Sequence, residues 1–224
     1  MSLSKSVHST PGNDLIIGVD FDNTVISYDD ILCKLTHERG LSATFPCSKK
    51  ALRDLLRQLP NGEIEWQKWQ AIMYGPMIGE AKLIRHVGDF FRLCRIKNVS
   101  VNIISHKSEY AAQDTKGINL RTAALKWMHD NHFFSMDGLG LNQEAIFFCN
   151  TRQEKIKKIK QLGCNYFIDD LEETFLEEDF PPTVQGILYS PTGDHSQAIE
   201  KLMIATDWKE ITQYVFPLCS QSNP

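Results

Sequence analysis

The stretch LIIGVDF, residues 15–21, followed at once by Asp22, Asn23 and Thr24, decides how the rest of the chain is read. It is nearly unbroken in apolar character, short and partly β-branched, as expected of a strand buried on both faces of a parallel sheet. A strand of that kind needs neighbours of its own type. The sequence supplies them as VSVNIIS (99–105), AIFFC (145–149), YFID (166–169) and VQGILYS (184–190). Helical patterns lie between. Leu120, Ala123, Ala124, Trp127 and Met128 fall at i, i+3, i+4, i+7 and i+8, on one helix face. A second helix is predicted over 81–96, carrying Leu83, Ile84, Val87, Phe90, Phe91 and Leu93. Thr151 to Glu154 fits a capping box opening a helix through Lys155 to Leu162, which Gly163 ends. Strands alternating with helices predict an α/β fold of three layers, a Rossmann-like parallel sheet covered on both faces.

One region breaks the alternation. From about Tyr28 to Glu80 only helix-like segments occur (28–39, 48–59, 63–74), punctuated by Pro46, Pro60-Asn61-Gly62 and Gly75-Pro76. About 50 residues are too many for a loop inside a compact domain. The expected organisation is a loose tail over 1–13, an α/β core over 14–27 and 81–218, and a small helical cap over 28–80 inserted after the first strand.

Composition bounds this picture without choosing a chemistry. The 224 residues are 42% hydrophobic and 23% charged, within the range of ordinary globular chains. Lys and Arg number 24 against 28 Asp and Glu, a net charge of −4, which lacks the electrostatic footprint of a duplex-binding protein. The six cysteines (33, 47, 94, 149, 164, 219) form no Cys-x-x-Cys pair and no zinc spacing. Cys94 and Cys149 sit in apolar surroundings that suit buried free thiols. No run approaches the ~18 apolar residues of a membrane span, and the first residues do not resemble a signal peptide. The expected compartment is therefore reducing and cytoplasmic, with no membrane partner.

Chemistry is expected where the strands end, because ligands of open α/β sheets bind beyond the carboxyl ends of strands. The first strand ends in Asp20 and Asp22, which project to the same side. Two neighbouring carboxylates disfavour joint ionisation, which invites either a divalent cation or a division into one nucleophile and one proton carrier. The second ends in Ser105, the third leads to Lys155, and the fourth ends in Asp169 and Asp170. Oxygen ligands of this kind suit Mg2+, and the Ser, Thr and Lys suit phosphate oxygens. Metal-assisted phosphoryl transfer to a carboxylate is the natural reaction class. Taken singly, each residue is an ordinary turn, cap or surface residue; four strand ends in order are what carry the reading.

With IIGVDFDNT, VNIIS, the lysine of TRQEKIKKIKQLG and NYFIDD in sequence order, the chain resembles the phosphatase branch of the haloacid dehalogenase superfamily. Short chains ending the fourth motif in FIDD are similar to uncharacterised bacterial members. The resemblance implies that Asp20 attacks phosphorus and becomes an aspartyl-phosphate, while Asp22 protonates the leaving alkoxide and then activates water. It implies a Mg2+ site in which Asp20 and Asp170 give carboxylates, Asp22 its backbone carbonyl, and Asp169 holds metal-bound water. Thr24, Ser105 and Lys155 would bind the phosphoryl group. Lys155 is chosen over Lys157, Lys158 and Lys160 because it starts its helix. Dehalogenases lack an acid where Asp22 stands, so the leaving group here is expected to need a proton. Asn23 replaces a frequent Gly, and Asn tolerates left-handed backbone.

The implied activity is hydrolysis of a small phosphorylated metabolite, with sugar phosphates and nucleoside monophosphates as first candidates. A mutase-like phosphotransferase and a non-catalytic phosphometabolite-binding module are the alternatives. The cap would select the leaving group, and oligomeric state is left open. His106 and Lys107 follow Ser105 and are weaker substrate-binding candidates. Trp66, Trp69 and Tyr74 are expected to form the small core of the insertion, with lining of a substrate pocket as the alternative, and Glu172, Glu173, Glu177, Glu178 and Asp179 a solvated acidic face. No G-x-G-x-x-G or P-loop occurs.

Overall fold

Each of the five apolar runs forms a strand in the computed structural model, which describes residues 15–40, 49–113, 116–196 and 202–217. In chain order the strands are β1 (Ile16–Val19), β2 (Ile26–Ser27), β3 (Lys82–Leu83), β4 (Ser100–His106), β5 (Ile146–Cys149), β6 (Tyr166–Asp169), β7 (Gln185–Tyr189) and β8 (Met203–Ala205). Among the described residues, six of them make one parallel sheet in the order β5-β4-β1-β6-β7-β8. The chain runs outward from β1 to β5, then returns to β6 and builds the other half. The order therefore reverses between β1 and β6, which leaves a crevice beyond their carboxyl ends. Gly18 permits the close pairing there: a Cβ on it would stand 2.6 Å from the Phe167 ring of β6.

Helices cover both faces. They are α1 (Asp29–Glu38), α2 (Lys49–Arg57), α3 (Gly62–Tyr74), α4 (Val87–Ile96), α5 (Leu120–Asp130), α6 (Arg152–Gln161), α7 (Glu172–Phe175) and α8 (Trp208–Val215). Alternate strand residues divide between two cores. Ile17, Ile103, Ile168 and Ile187 pack with Phe90, Phe91, Trp127 and Trp208 of α4, α5 and α8. Ile104, Phe167 and Cys149 face the other way, toward Ile159 of α6. That alternation is the period-two signature of a sheet buried on both sides.

The insertion consists of α1, α2 and α3, framed by β2 and β3, which pair antiparallel as Ile26 with Leu83 and Ser27 with Lys82. This pairing corrects the helix predicted over 81–96. The Ile84 amide donates to the Val25 carbonyl at 2.9 Å, so the chain is held extended here and α4 begins only at Val87. β8 was also outside the predicted set. Trp66 and Trp69 are buried as expected, but not in a separate small core: they belong to the same apolar cluster as β1 and α4. The acidic face is not simply solvated either, since Glu177 pairs with Arg152 at 2.7 Å and Glu172 accepts from the Ser196 amide. Cys94, Cys149 and Cys164 are free and buried. Cys33 is disulfide-bonded, which departs from the expected reduced thiols. The tail over 1–13 lies outside the described residues, as do Cys47 and Cys219. No helix among the described residues is long and apolar enough to cross a membrane.

Candidate active site

A tight turn delivers the first two carboxylates. Asn23 sits at φ 61°, in the left-handed region that Asn tolerates better than most residues. This lets the amides of Val25 and Ile26 both donate back to the Phe21 carbonyl. Asp20 is thereby left at the end of β1, beside the crevice, and Asp22 projects from the turn.

Lys155 reaches the crevice because α6 is capped where predicted. The Thr151 side chain accepts from the Glu154 amide, and Glu154 reaches back to the Asn150 amide at 2.8 Å. The helix then starts with a fixed direction, and Gly163 at φ 65° follows its end. Lys155, only 1% exposed, donates to Asp20 Oδ1 at 2.7 Å and to Asp169 Oδ2 at 2.6 Å. Burial alone would lower its pKa. The two carboxylates outweigh that and raise its pKa above the ordinary lysine value.

Asp20, Asp169 and Asp170 each offer an oxygen within 4.8 Å of the other two. Both oxygens of Asp169 are engaged, by Lys155 and by the Leu171 amide. Among the described residues the hydrogen bonds to Asp170 are long, 3.4 Å from Asn23 and 3.5 Å from Thr24. Burial pushes Asp20 up to about 7, opposed by Lys155 and reinforced by Asp169 and Asp22. Burial likewise pushes Asp170 up to about 8, against Lys49 and with the help of Asp169 and Asp20. Carboxylates crowded in this way stay ionised when a cation joins them, so the donor set fits a hard divalent ion.

Asp22 lives differently. It accepts from Tyr28 Oη at 2.6 Å, and the Lys107 ammonium lies 3.0 Å from Oδ1 and 2.8 Å from Oδ2. Burial would raise its pKa, but Lys107 and Lys49, with the bonds from Lys107 and Tyr28, hold it below the ordinary aspartate value. Asp22 takes no part in the three-carboxylate group.

Ser105 is 1% exposed, and its hydroxyl has no hydrogen-bond partner among the described residues. A buried polar atom without a partner is costly unless something completes it, and a phosphate oxygen would. Two other predicted residues have protein partners. Thr24 is fully buried, with its hydroxyl toward Asp170 instead of open space. His106 bonds the Asn150 carbonyl through Nε2 at 3.0 Å and contacts none of the four carboxylates.

Sequence reading missed two contributors, Tyr28 and Lys49, and assigned a third, Tyr74, to the core of the insertion. Tyr28 holds Asp22; Tyr74 lies edge-on to Tyr28, with ring centroids 4.8 Å apart, and 4.5 Å beneath the Lys107 ammonium. Lys49 of α2 hydrogen-bonds Tyr74, and Tyr74, Asp170 and Asp22 raise its pKa against its burial. Their signal in sequence is faint, because Lys49 sits in a KKALRDLLR helix that reads as a solvated face. A cavity of about 1030 Å³ opens beside Asn23 and Asp170, lined further by Lys49 and Arg53 of the insertion and by Tyr189 and His195 of the core.

No protein-family model matches the chain, and no curated protein matches it. Solved structures do match, over nearly all of its length. A haloacid dehalogenase-like hydrolase from Streptococcus pneumoniae gives a TM-score of 0.56 at 17% identity, covering 90% of this chain and 98% of that one. The putative HAD-hydrolase YfnB from Bacillus subtilis, in a magnesium-bound structure, gives 0.54 at 11% identity, covering 91% and 99%. A phosphoserine phosphohydrolase-like protein from Francisella tularensis gives 0.52 at 13% identity, covering 90% and 99%. The chain therefore has the haloacid dehalogenase-like α/β fold. On that fold stands a centre of four carboxylates and three ammonium groups, three of whose carboxylates are grouped closely enough to hold a metal.

Proposed function

We propose that the chain is a Mg2+-dependent phosphomonoester hydrolase acting on a small phosphorylated metabolite through an aspartyl-phosphate intermediate. The observation that carries this reading is Asp22. Its carboxylate is a second one on the same turn as Asp20, yet it stands outside the group of three carboxylates and is held by partners of its own. A fold that supports several chemistries does not choose among them; the residues of the site do.

In this reading an oxygen of Asp20 attacks phosphorus, the bond from phosphorus to the substrate oxygen breaks, and Asp22 gives its proton to the departing alkoxide. Water then attacks the aspartyl-phosphate, Asp22 takes the proton from that water, and the bond to Asp20 breaks to release phosphate. Lys107 holds Asp22 below the ordinary aspartate value, so the proton that Asp22 gives is one it takes up as substrate binds. The negative charge of an arriving phosphate raises its proton affinity, which equips it for the first step. Lys155 keeps Asp20 oriented, and the Ser105 hydroxyl is free to bind a phosphate oxygen. Asp20 and Asp170, with the Asp22 backbone carbonyl, would hold Mg2+, and Asp169 would hold its water. When bound, Mg2+ supplies neutralising charge at the phosphate oxygens. The magnesium in the Bacillus subtilis neighbour supports that choice. Four carboxylates against three ammonium groups leave one negative charge, which a divalent ion turns positive and so receptive to phosphate.

The insertion acts as a cap. Its α2 and α3 place Lys49 and Tyr74 over the site, and the cavity beside Asp170 receives the leaving group. Sugar phosphates and nucleoside monophosphates fit a cavity at the upper end of the ~300–1000 Å³ common for small ligands. The test is phosphate release from a panel of phosphomonoesters with Mg2+. Release from a subset of alkyl esters is expected. Label transfer to an acceptor without phosphate release would favour a phosphotransferase, and silence across the panel a binding module.

A further inference from the structure

The Asp22 carboxylate is gripped from two directions, by groups that arrive on different parts of the fold. Tyr28 stands immediately before α1, where the chain enters the insertion, and donates its hydroxyl to Oδ1. Lys107 lies just past β4 in the core and places its ammonium within 3.0 Å of both oxygens. Neither is free to wander. Tyr28 is fully buried, and Lys107 is 3% exposed.

The loop carrying Lys107 is anchored three times over. Its own amide donates to the Cys149 carbonyl at 2.9 Å. Arg121 of α5 donates through Nε to the Lys107 carbonyl at 3.0 Å, and through Nη2 to the Asn150 side chain at 2.6 Å. His106 bonds the Asn150 carbonyl on the same side. The Lys107 stem therefore leaves a fixed point, and its ammonium is bounded by Phe21 at 5.8 Å and Tyr74 at 4.5 Å. An ammonium confined between two rings and one carboxylate has its direction set before any substrate arrives.

We infer that Lys107 and Tyr28 are positioning residues that fix the Asp22 carboxylate within hydrogen-bond reach of the place where the leaving-group oxygen must sit, and that Lys107 is not itself a substrate ligand. This rests on the phosphatase reading for the meaning of Asp22, and it departs from the expectation that Lys107 touches substrate. The geometry favours it because both Asp22 oxygens already lie against the Lys107 ammonium. Carboxylate placement matters in such reactions, since a displacement of about 1 Å can cost on the order of 100-fold in rate.

The experiment has two arms. In the first, kcat/KM is measured with Mg2+ for an alkyl phosphate and for p-nitrophenyl phosphate, whose leaving group needs no proton. The proteins are wild type, Lys107→Met, Tyr28→Phe, Asp22→Asn and the Asp22→Asn/Lys107→Met double variant, with folding checked by thermal melts. Lys107→Met is expected to lose at least 10-fold more on the alkyl ester than on the nitrophenyl ester, and Tyr28→Phe to show the same bias more weakly. In the Asp22→Asn background the lysine change should cost little further, because a residue acting through another is not additive with it. A substrate ligand would instead give the same loss on both esters and in both backgrounds, which would overturn the inference.

The second arm is a crystal structure of Lys107→Met, or of Tyr28→Phe if the first variant does not fold. The Asp22 carboxylate is expected to leave its present place; an unmoved carboxylate would overturn the inference. A wild type that releases no phosphate sinks the phosphatase reading alone, and this structural arm then decides the positioning role.

Discussion

Asp20 and Asp22 leave the same turn two residues apart and each meets an ammonium, yet they end in opposite states. Asp20 shares Lys155 with Asp169 and stands in a crowd of acids, so burial pushes it up to about 7. Asp22 has Lys107 to itself, with Tyr28 as a second donor, and is held below its ordinary value. Identical side chains are thus assigned different chemistry by the ratio of cations to acids around each. The first environment has fewer cations than acids and could hold a metal; the second pairs one carboxylate with one ammonium.

The largest effect expected of this comparison is kinetic. Asp20→Asn should lower turnover roughly 10⁴-fold or more, as loss of a nucleophile does. Asp22→Asn should lower it by about 10²–10⁴-fold, as loss of a general acid does, with a smaller deficit on nitrophenyl esters. Equal losses on every ester would erase the division of labour.

A second prediction concerns stability. Lys155→Met leaves Asp20 and Asp169 buried without their shared cation, which should cost about 3–5 kcal/mol. In a chain of this size that lowers Tm by on the order of 10 °C, read by scanning calorimetry. An unchanged Tm would show that the ammonium is dispensable to the crowded side.

A third prediction concerns the pH response of the metal-free protein. In the folded chain Asp20 and Asp170 keep protons up to about 7 and about 8, while their ordinary value is 3.8. Between those limits the folded state binds more protons than the unfolded one, so stability is highest at the low end and falls as pH rises. Asp22 runs the other way: its lowered pKa stabilises above the ordinary value and is lost in acid. In EDTA, Tm is therefore expected to fall between pH 5.5 and 8, and excess Mg2+ to reduce that fall by binding the ionised carboxylates. A Tm that climbs with pH in EDTA would contradict the crowding of Asp20 and Asp170.

Much of this was legible in the sequence because its signals are strong and local. Apolar runs long enough to be strands, a capping box at Thr151 and a glycine stop at Gly163 each act over a few residues. The crowded side of the site was legible for the same reason: Asp20, Lys155, Asp169 and Asp170 come at the ends of well-marked elements. What escaped depends on distant pairing. β2 and β3 are two residues each, too short to show a period, and exist because each finds the other across the insertion. Tyr28, Tyr74 and Lys49 meet Asp22 or its lysine only after the insertion folds back over the core, so no spacing announces them. Lys107 stood in the right place in sequence, but its partner lies 85 positions away.

The short hairpin of β2 and β3 has a consequence for how such a chain can change. Where the insertion leaves the core and where it rejoins it are neighbouring strands, about 5 Å apart. Any segment whose own ends lie that close can be exchanged at this junction while β1 and β6 keep their register, as insertions with adjacent ends generally allow. The junction is thus a fixed socket and the insertion a replaceable fitting. On the reading proposed above, trading about 50 residues there would rewrite substrate preference while the four carboxylates keep their place on the sheet.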